Sequence, residues 1–286
     1  PPIMYSPRPL DGKLAVITGS SRGIGGATAE LLASKGCNVA IHYNSTSSEK
    51  AARNLADDLA QRFGVRCKVF QADLSTDEGP ESLIQEVKVE FSTSDGHFQI
   101  DILVNNAGMV HTAVLGEITV QDFYKVYRIN SLAPLLVMQS VLPHLPHDRS
   151  GRVVNVSSIS SQTGFPDQSI YGGSKAALES CTRSWARQLG ERATVNAINP
   201  GPVKTEMWGG LTDAFRDNMY PYIKLTPTMA IRDSDDEETK KVGKALGGRP
   251  AEAVEIAGII AMLCSAESAW CTGQIICANG GMRMSD

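Results

Sequence analysis

Apolar residues along this chain alternate between two rhythms. KLAVIT (13–18), NVAIHY (38–43), RCKVFQ (66–71), IDILVNN (100–106), RVVNVSS (152–158) and TVNAINP (194–200) are short apolar runs, and GQIICANGG (273–281) is a last, shorter one. Such runs, bounded by glycine, proline or small polar residues, predict strands. Between them, residues 23–36, 47–63, 77–91, 119–142, 168–190 and 250–264 carry apolar positions at helical spacing. Gly36 is a natural stop for the first helix, and Pro143 and Pro146 should break the pattern of 119–142.

Strands and helices in alternation require a parallel sheet with helices on both faces and right-handed crossovers. The expectation is therefore α/β, a doubly wound parallel sheet of about seven strands, forming one domain over 11–286. A proline-rich irregular arm, 1–10, precedes it. Ligands of such folds bind outside the carboxyl ends of the strands, where strand order reverses. The residues just after each strand are thus the ones to read for chemistry. Only 206–249 leaves the rhythm, with EMWGGLTDAF, Tyr220-Pro221-Tyr222 and the acidic run DSDDEETKK. It is long for a connection and reads as a substrate lid, or as a variable surface excursion with a solvated acidic stretch.

Composition narrows the function classes. Hydrophobic content of 42% and charged content of 20% fit a soluble globular protein. A net charge of −4 offers no basic field for nucleic acid or an anionic membrane. No apolar run approaches the roughly 18 residues of a membrane span. The six cysteines form no CxxC pair and none sits beside histidine at metal-ligand spacing, so no metal is expected. Their mostly apolar contexts suggest buried free thiols and a reducing, cytoplasmic setting.

After the first strand comes TGSSRGIGG, in which Gly19, Gly23 and Gly25 follow a GxxxGxG spacing. Glycine permits the tight turn and close approach of backbone to a pyrophosphate, and the helix that starts there aims free N–H groups at its charge. After the second strand, IHYNSTSS holds no carboxylate before Glu49. The acidic residue that usually holds the ribose hydroxyls of NAD is missing, and with it a source of repulsion for a 2′-phosphate. Arg22, Asn44 and Ser45 could contact that phosphate, so NADP(H) is the expected cofactor, with Arg22 as a solvated turn residue the alternative. After the third strand, Asp73 could accept from the adenine amino group or cap a turn. After the fourth, Asn105 to Gly108 read NNAG, which suits close backbone approach or an ordinary turn.

TGSSRGIG (18–25), NNAG (105–108), Asn130 in RIN, Ser158 in NVSS, Tyr171 and Lys175 in YGGSK, and PGPVKT (200–205) occur in this order. With these motifs the chain resembles the short-chain dehydrogenase/reductase family, over about residues 12 to 281. The resemblance implies a Rossmann-type fold and an NADP(H)-dependent carbonyl reductase. It implies that Tyr171 is the general acid/base, that Lys175 binds the nicotinamide ribose and lowers the tyrosine pKa, and that Ser158 polarises the substrate carbonyl. It further implies that Asn130 holds a water in a relay with the lysine. It extends the cofactor contacts to Ser21, Ile24, Tyr43, Leu74 and Ala107, and to Pro200, Gly201, Val203 and Thr205, the last on the carboxamide. It also implies a homotetramer or homodimer, paired through helices matching 119–142 and 168–190.

The chemistry is consistent with those roles. A phenol with an ordinary pKa near 10 is a sluggish proton partner at neutrality. An ammonium one helical turn away, aided by the charge of the oxidised nicotinamide, would bring it down. Small residues at Gly172, Gly173 and Ser174 would leave room for the cofactor. Ser157, Ser160 and Ser161 compete with Ser158, and spacing to Tyr171 favours Ser158. Substrate walls are expected from 109–114, 159–170 and 203–225, including Met109, Val110, His111, Ile159, Phe165, Met207, Trp208 and Tyr220. This apolar mix suits a cyclic or aromatic ketone. Asp167 reads as a helix N-cap or as a pocket residue, and His111 as a loop histidine or a pocket base. An NAD(P)-dependent alcohol dehydrogenase, an imine or cyclisation-coupled reductase, and a non-enzymatic nucleotide sensor are the alternatives.

Overall fold

The alternation becomes a seven-stranded parallel sheet in a computed structural model that describes residues 8–209 and 213–284. The first half runs β1 (Leu14–Ile17), α1 (Gly23–Ser34), β2 (Asn38–Tyr43), α2 (Glu49–Phe63), β3 (Cys67–Gln71), α3 (Gly79–Phe91) and β4 (Ile102–Asn105). The second half runs α4 (Val120–Tyr127), α5 (Ala133–Val141), β5 (Gly151–Val156), α6 (Ser160–Thr163), α7 (Ser169–Gln188) and β6 (Ala193–Ile198). It continues through α8 (Glu206–Gly209), α9 (Asp213–Leu225), α10 (Glu237–Leu246), α11 (Ala253–Leu263) and β7 (Ile275–Ile276).

Strand order is β3-β2-β1-β4-β5-β6-β7. Val16 pairs with Ala40 on one side and Leu103 on the other, so the order reverses between β1 and β4. Successive strand residues face opposite ways. Ala15, Ile17, Val39 and Ile41 pack with Leu32, Leu59 and Ile260 on one face. Leu14, Val16, Ala40 and Leu103 pack with Leu83, Val137 and Leu178 on the other. Both faces are covered, which is why the strands read as unbroken apolar runs. Each fully buried Leu or Ile contributes about 1.5–3 kcal/mol.

Three departures from the sequence pattern shape the site. The helix expected over 119–142 is interrupted earlier than its later prolines suggest, by a π-helical turn over Arg128–Leu132. Pro134, in the first turn of α5, cannot supply the N–H that an α-helical Asn130 carbonyl would accept. The 206–249 stretch contains α8, α9 and α10, and its acidic run starts a helix, with Asp236 capping α10 by accepting the Thr239 N–H at 2.8 Å. Met219, Ile223 and Met229 from this segment pack on Ile159 and Phe165, and the Phe165 and Tyr222 rings meet edge to face at 5.1 Å. Finally, Leu10 at the end of the expected arm is buried, and Arg8 donates to the Phe63 carbonyl at 2.9 Å. Residues 1–7 of that arm lie outside the described residues. Among the described residues no helix is long and apolar enough to cross a membrane.

Candidate active site

The switch between β1 and β4 is sewn together by side chains. Thr18 Oγ1 accepts the N–H groups of Asn106 and Ala107, each at 3.0 Å. Asn106 Nδ2 donates to the carbonyls of Thr18 and Gly19, each at 2.9 Å. Gly19 has a φ of 64°, and a Cβ there would lie 3.0 Å from Ala107 Cα. Only glycine permits both the left-handed turn and this approach. His42, buried, accepts the Gly19 N–H on Nδ1 at 2.8 Å and bonds the Ala72 carbonyl through Nε2 at 3.0 Å. Burial lowers its pKa, so it is neutral with the proton on Nε2. His42 had no distinguishing signal in the sequence, because a histidine within a strand reads as ordinary core, whereas Asn106 lies in the NNAG motif.

The N-terminus of α1 opens into this turn without a side-chain cap or an acidic residue in its first turn. Arg22 beside it donates to Ser48 Oγ at 3.2 Å and pairs through Nε with Glu206 at 3.0 Å, both charged groups being exposed. Asp73 takes the turn-capping role, since its carboxylate accepts the Ser75 N–H and hydroxyl at 2.9 and 2.7 Å. Those bonds lower its pKa. Asn44 turns its amide toward the Asp73 carboxylate and the Ala72 carbonyl. A cleft of about 1680 Å³ runs from here to Tyr171. Gly19, Ser21, Arg22, Gly23, Ile24, Tyr43, Asn44, Asp73, Leu74, Ala107, Gly108, Pro200, Gly201, Val203 and Thr205 all line it. Three expected contacts do not. Gly25 is packing, as a Cβ would meet Asn106 Nδ2 and the Gly19 carbonyl at 2.5 Å. Asn105 points into the sheet and donates to Asn155 at 2.8 Å. Ser45 is exposed and bonds Ser47, while Ser48 takes the place beside Arg22.

At the far end Tyr171, Lys175 and Ser158 are each at most 9% exposed. Ser158 hydrogen-bonds the Tyr171 phenol. Its Oγ also accepts the Ser160 N–H at 3.2 Å. Two of the rival serines are occupied elsewhere: Ser157 and Ser161 both donate to the buried Glu179 carboxylate, which Gln162 also meets at 3.2 Å, while Ser160 stays in the cleft lining and accepts the Ser158 hydroxyl at 3.2 Å. Lys175 Nζ donates to the Val156 carbonyl at 2.9 Å. Asn130, fully buried, accepts the Met109 N–H and donates to the Met109 carbonyl, both at 2.9 Å, and to Ser174 Oγ at 3.0 Å. A Cβ on Gly108 would lie 3.2 Å from both Asn130 Oδ1 and Lys175 Nζ, so this glycine keeps the floor of the cleft open.

Residues 19–283 match a family model described as enoyl-(acyl carrier protein) reductase. The chain is 46% identical over 300 residues to the L-xylo-3-hexulose reductase of Hypocrea jecorina, covering 97% of this chain and 99% of that one. It is 43% identical over 297 residues to the L-xylulose reductase of Aspergillus niger, with the same coverage. The chain belongs to the short-chain dehydrogenase/reductase family. Among solved structures of this family, the angucycline C-6 ketoreductase LanV with bound NADP superposes with a TM-score of 0.78 at 32% identity, covering 96% of each chain.

Set in this short-chain dehydrogenase/reductase frame, several local expectations change. Burial pushes the Tyr171 phenol up, the Ser158 hydrogen bond offsetting part of the rise, so the phenol lies above its ordinary value and not below it as expected. Burial also brings the Lys175 ammonium down to about 8, against the pull of Glu179. The small residues between them make room for protein, not cofactor. A Cβ on Gly172 would lie 2.6 Å from the Ser160 carbonyl, and one on Gly173 the same distance from the Tyr127 hydroxyl. Ser174 is fully buried against Asn130. Asp167 does not cap α7; it has a φ of 63°, and the N-cap is Gln168. Met109, Val110, Ile159, Phe165 and Met207 line the cleft, joined by Gln168 and Met219. His111 faces Asp122 at 3.7 Å and Tyr220 packs at Gly247, neither lining the cleft. The Trp208 side chain lies outside what the structure describes.

Proposed function

We propose that this protein is an NADPH-dependent ketoreductase with Tyr171 as proton donor. The observation that carries the reading is the burial of Tyr171, Ser158 and Lys175 at one end of the cleft whose other end is the glycine turn. The turn fits a dinucleotide: Gly19 and Gly108 sit where a Cβ would crowd the backbone or side chains behind them, and α1 presents uncapped N–H groups. When bound, NADPH supplies the hydride. Arg22, with Ser48 and Asn44 beside the end of β2, would hold the 2′-phosphate; β2 itself ends without a carboxylate, and the phosphate would compete with Glu206 for Arg22. Lys175 and Thr205 would hold the nicotinamide end.

The remaining chemistry belongs to the chain. Ser158 holds the substrate carbonyl oxygen next to the phenol. Burial keeps Tyr171 protonated at neutral pH, the form a proton donor needs when the carbonyl oxygen gains charge. This favours the reductive direction, since a base for alcohol oxidation needs the opposite shift. Lys175 remains largely charged below about pH 8 and stabilises the phenolate left behind. Asn130 commits its side chain to Met109 and Ser174, so the relay implied for it would run through its main-chain carbonyl in the π turn. Met207 and Met219 bring α8 and α9 to the cleft, and 206–249 serves as its lid. Exposed Val120, Phe123 and Tyr124 on α4 form the face for self-association.

For the substrate, the two relatives named as ketose reductases favour an open-chain polyhydroxy ketone. The apolar walls of Met109, Val110, Ile159, Phe165 and Met219 favour a second class, cyclic or aromatic ketones. NADPH consumption by the purified protein should be followed with pentuloses, hexuloses, cyclic diketones and aryl ketones, and repeated with NADH. Turnover with at least one ketone and a preference for NADPH is expected. Tight NADPH binding without turnover of any carbonyl would return the nucleotide-sensor reading.

A further inference from the structure

Gln168 is a buried side chain whose amide oxygen has no internal partner. It is 5% exposed, and its side-chain Oε1 makes no hydrogen bond. It occupies the N-cap of α7 yet makes no capping bond. The backbone explains its direction. Asp167 adopts the left-handed region, which is uncommon for a residue with a side chain. Its carbonyl accepts the Ala113 N–H at 2.9 Å, and the Gln168 carbonyl accepts the Gly172 N–H at 2.8 Å. Anchored on both sides in this way, Gln168 forms part of the cleft wall and leaves the helix end uncapped.

Other polar groups at this end are engaged: Asn130 with Met109 and Ser174, Ser157 and Ser161 with Glu179, and Ser158 with Tyr171 and Ser160. The neighbouring wall is apolar. An amide oxygen left unpaired there is destabilising unless a ligand supplies its partner. The partner should be neutral, because an ionised group in this wall would be strongly disfavoured. It should also sit close to the reacting carbonyl, because Gln168 and Tyr171 are three residues apart at the start of one helix and share a face.

We propose that Gln168 recognises a hydroxyl group on the carbon next to the carbonyl, making the enzyme selective for α-hydroxy ketones. The assignment rests on the ketoreductase reading above. It joins the two substrate classes, since ketoses carry such a hydroxyl and a hydroxylated aryl ketone can carry it too.

The test uses two nearly isosteric pairs in which a hydroxyl replaces a methyl: α-hydroxyacetophenone against propiophenone, and hydroxyacetone against butanone. Wild-type protein should favour the hydroxyl-bearing member of each pair about 10- to 100-fold in kcat/KM. In Gln168→Met, a change to a similarly shaped apolar residue, that ratio should collapse to within about threefold. Thermal stability should hold or rise, because an orphaned polar group is removed. A glutamine with only a structural role would instead lower the melting temperature and weaken both ketones alike. That result, or an unchanged ratio in the variant, overturns the assignment. Equal turnover of both members by wild type refutes Gln168 alone and leaves the ketoreductase reading standing. No turnover of all four ketones overturns that reading and this assignment with it.

Discussion

At one end of the cleft Tyr171, Lys175, Ser158, Asn130 and Glu179 are buried and bonded to one another's elements. At the other end Arg22, Asn44, Ser45 and Glu206 stand in solvent, held by one exposed ion pair and a few hydroxyl contacts. In the proposed reductase the buried end would fix the position and protonation of reacting groups, which requires a dry site and few alternatives. The exposed end would capture and release the charged cofactor. Its groups keep their hydration, and their pairing remains weak and sensitive to salt. Changes at the first end should therefore act on turnover, and changes at the second on cofactor affinity and selectivity.

Four substitutions or titrations would break or sharpen that contrast. The largest effect is expected for Tyr171→Phe, which should lower kcat/KM for ketone reduction by about 10²–10⁴-fold. NADPH affinity, measured by fluorescence titration, should stay within about threefold. A parallel loss of both would show that the two ends are not separable.

Next is Glu179→Gln. Glu179 accepts from Ser157 and Ser161, so it braces the turn that carries Ser158, and it favours the charge on Lys175. It does not line the cleft among the described residues and would act as a positioning residue. The wild-type pH profile of kcat/KM should be flat below about 8 and fall above it as Lys175 loses its proton. In Glu179→Gln the falling limb should move to lower pH, with kcat reduced about tenfold at neutrality, a loss of roughly 1.4 kcal/mol. An unmoved limb would remove Glu179 from any electrostatic role.

Arg22→Ala belongs to the other end. It should reduce the preference for NADPH over NADH about tenfold, the weight of one charge-assisted contact, while kcat with saturating NADPH changes little. Added salt should shrink the wild-type preference more than that of the variant. The smallest effect is expected for Glu206→Gln. Removing the carboxylate frees Arg22 from its ion pair, so the Kd for NADPH should fall about twofold. Weaker binding would show instead that Glu206 orients Arg22 for the cofactor.

Much of this site was legible in the chain because its signals are local. The glycine turn, the missing carboxylate after IHY, and the Tyr171–Lys175 spacing each lie within a few residues. What was not legible depends on partners far along the chain. Spacing pointed to Ser158, but that Ser157 and Ser161 are turned away to Glu179 depends on another element. Gly172 and Gly173 read as clearance for a cofactor, yet the groups they admit are a carbonyl of α6 and the hydroxyl of Tyr127. The phenol, expected to be lowered by its lysine, is raised because it is itself buried.

By itself the sequence determined the order of strands and helices, the two covered faces of the sheet, and which motifs end on the strand tips, because periodicity and glycine placement act over single elements. The tertiary structure alone decided the π turn that bends the Asn130 carbonyl out of register, the neutral His42 that ties three strands, and the orphaned amide oxygen of Gln168. Those depend on which groups meet across elements and how much water they lose, and neither quantity is encoded in any one stretch of chain.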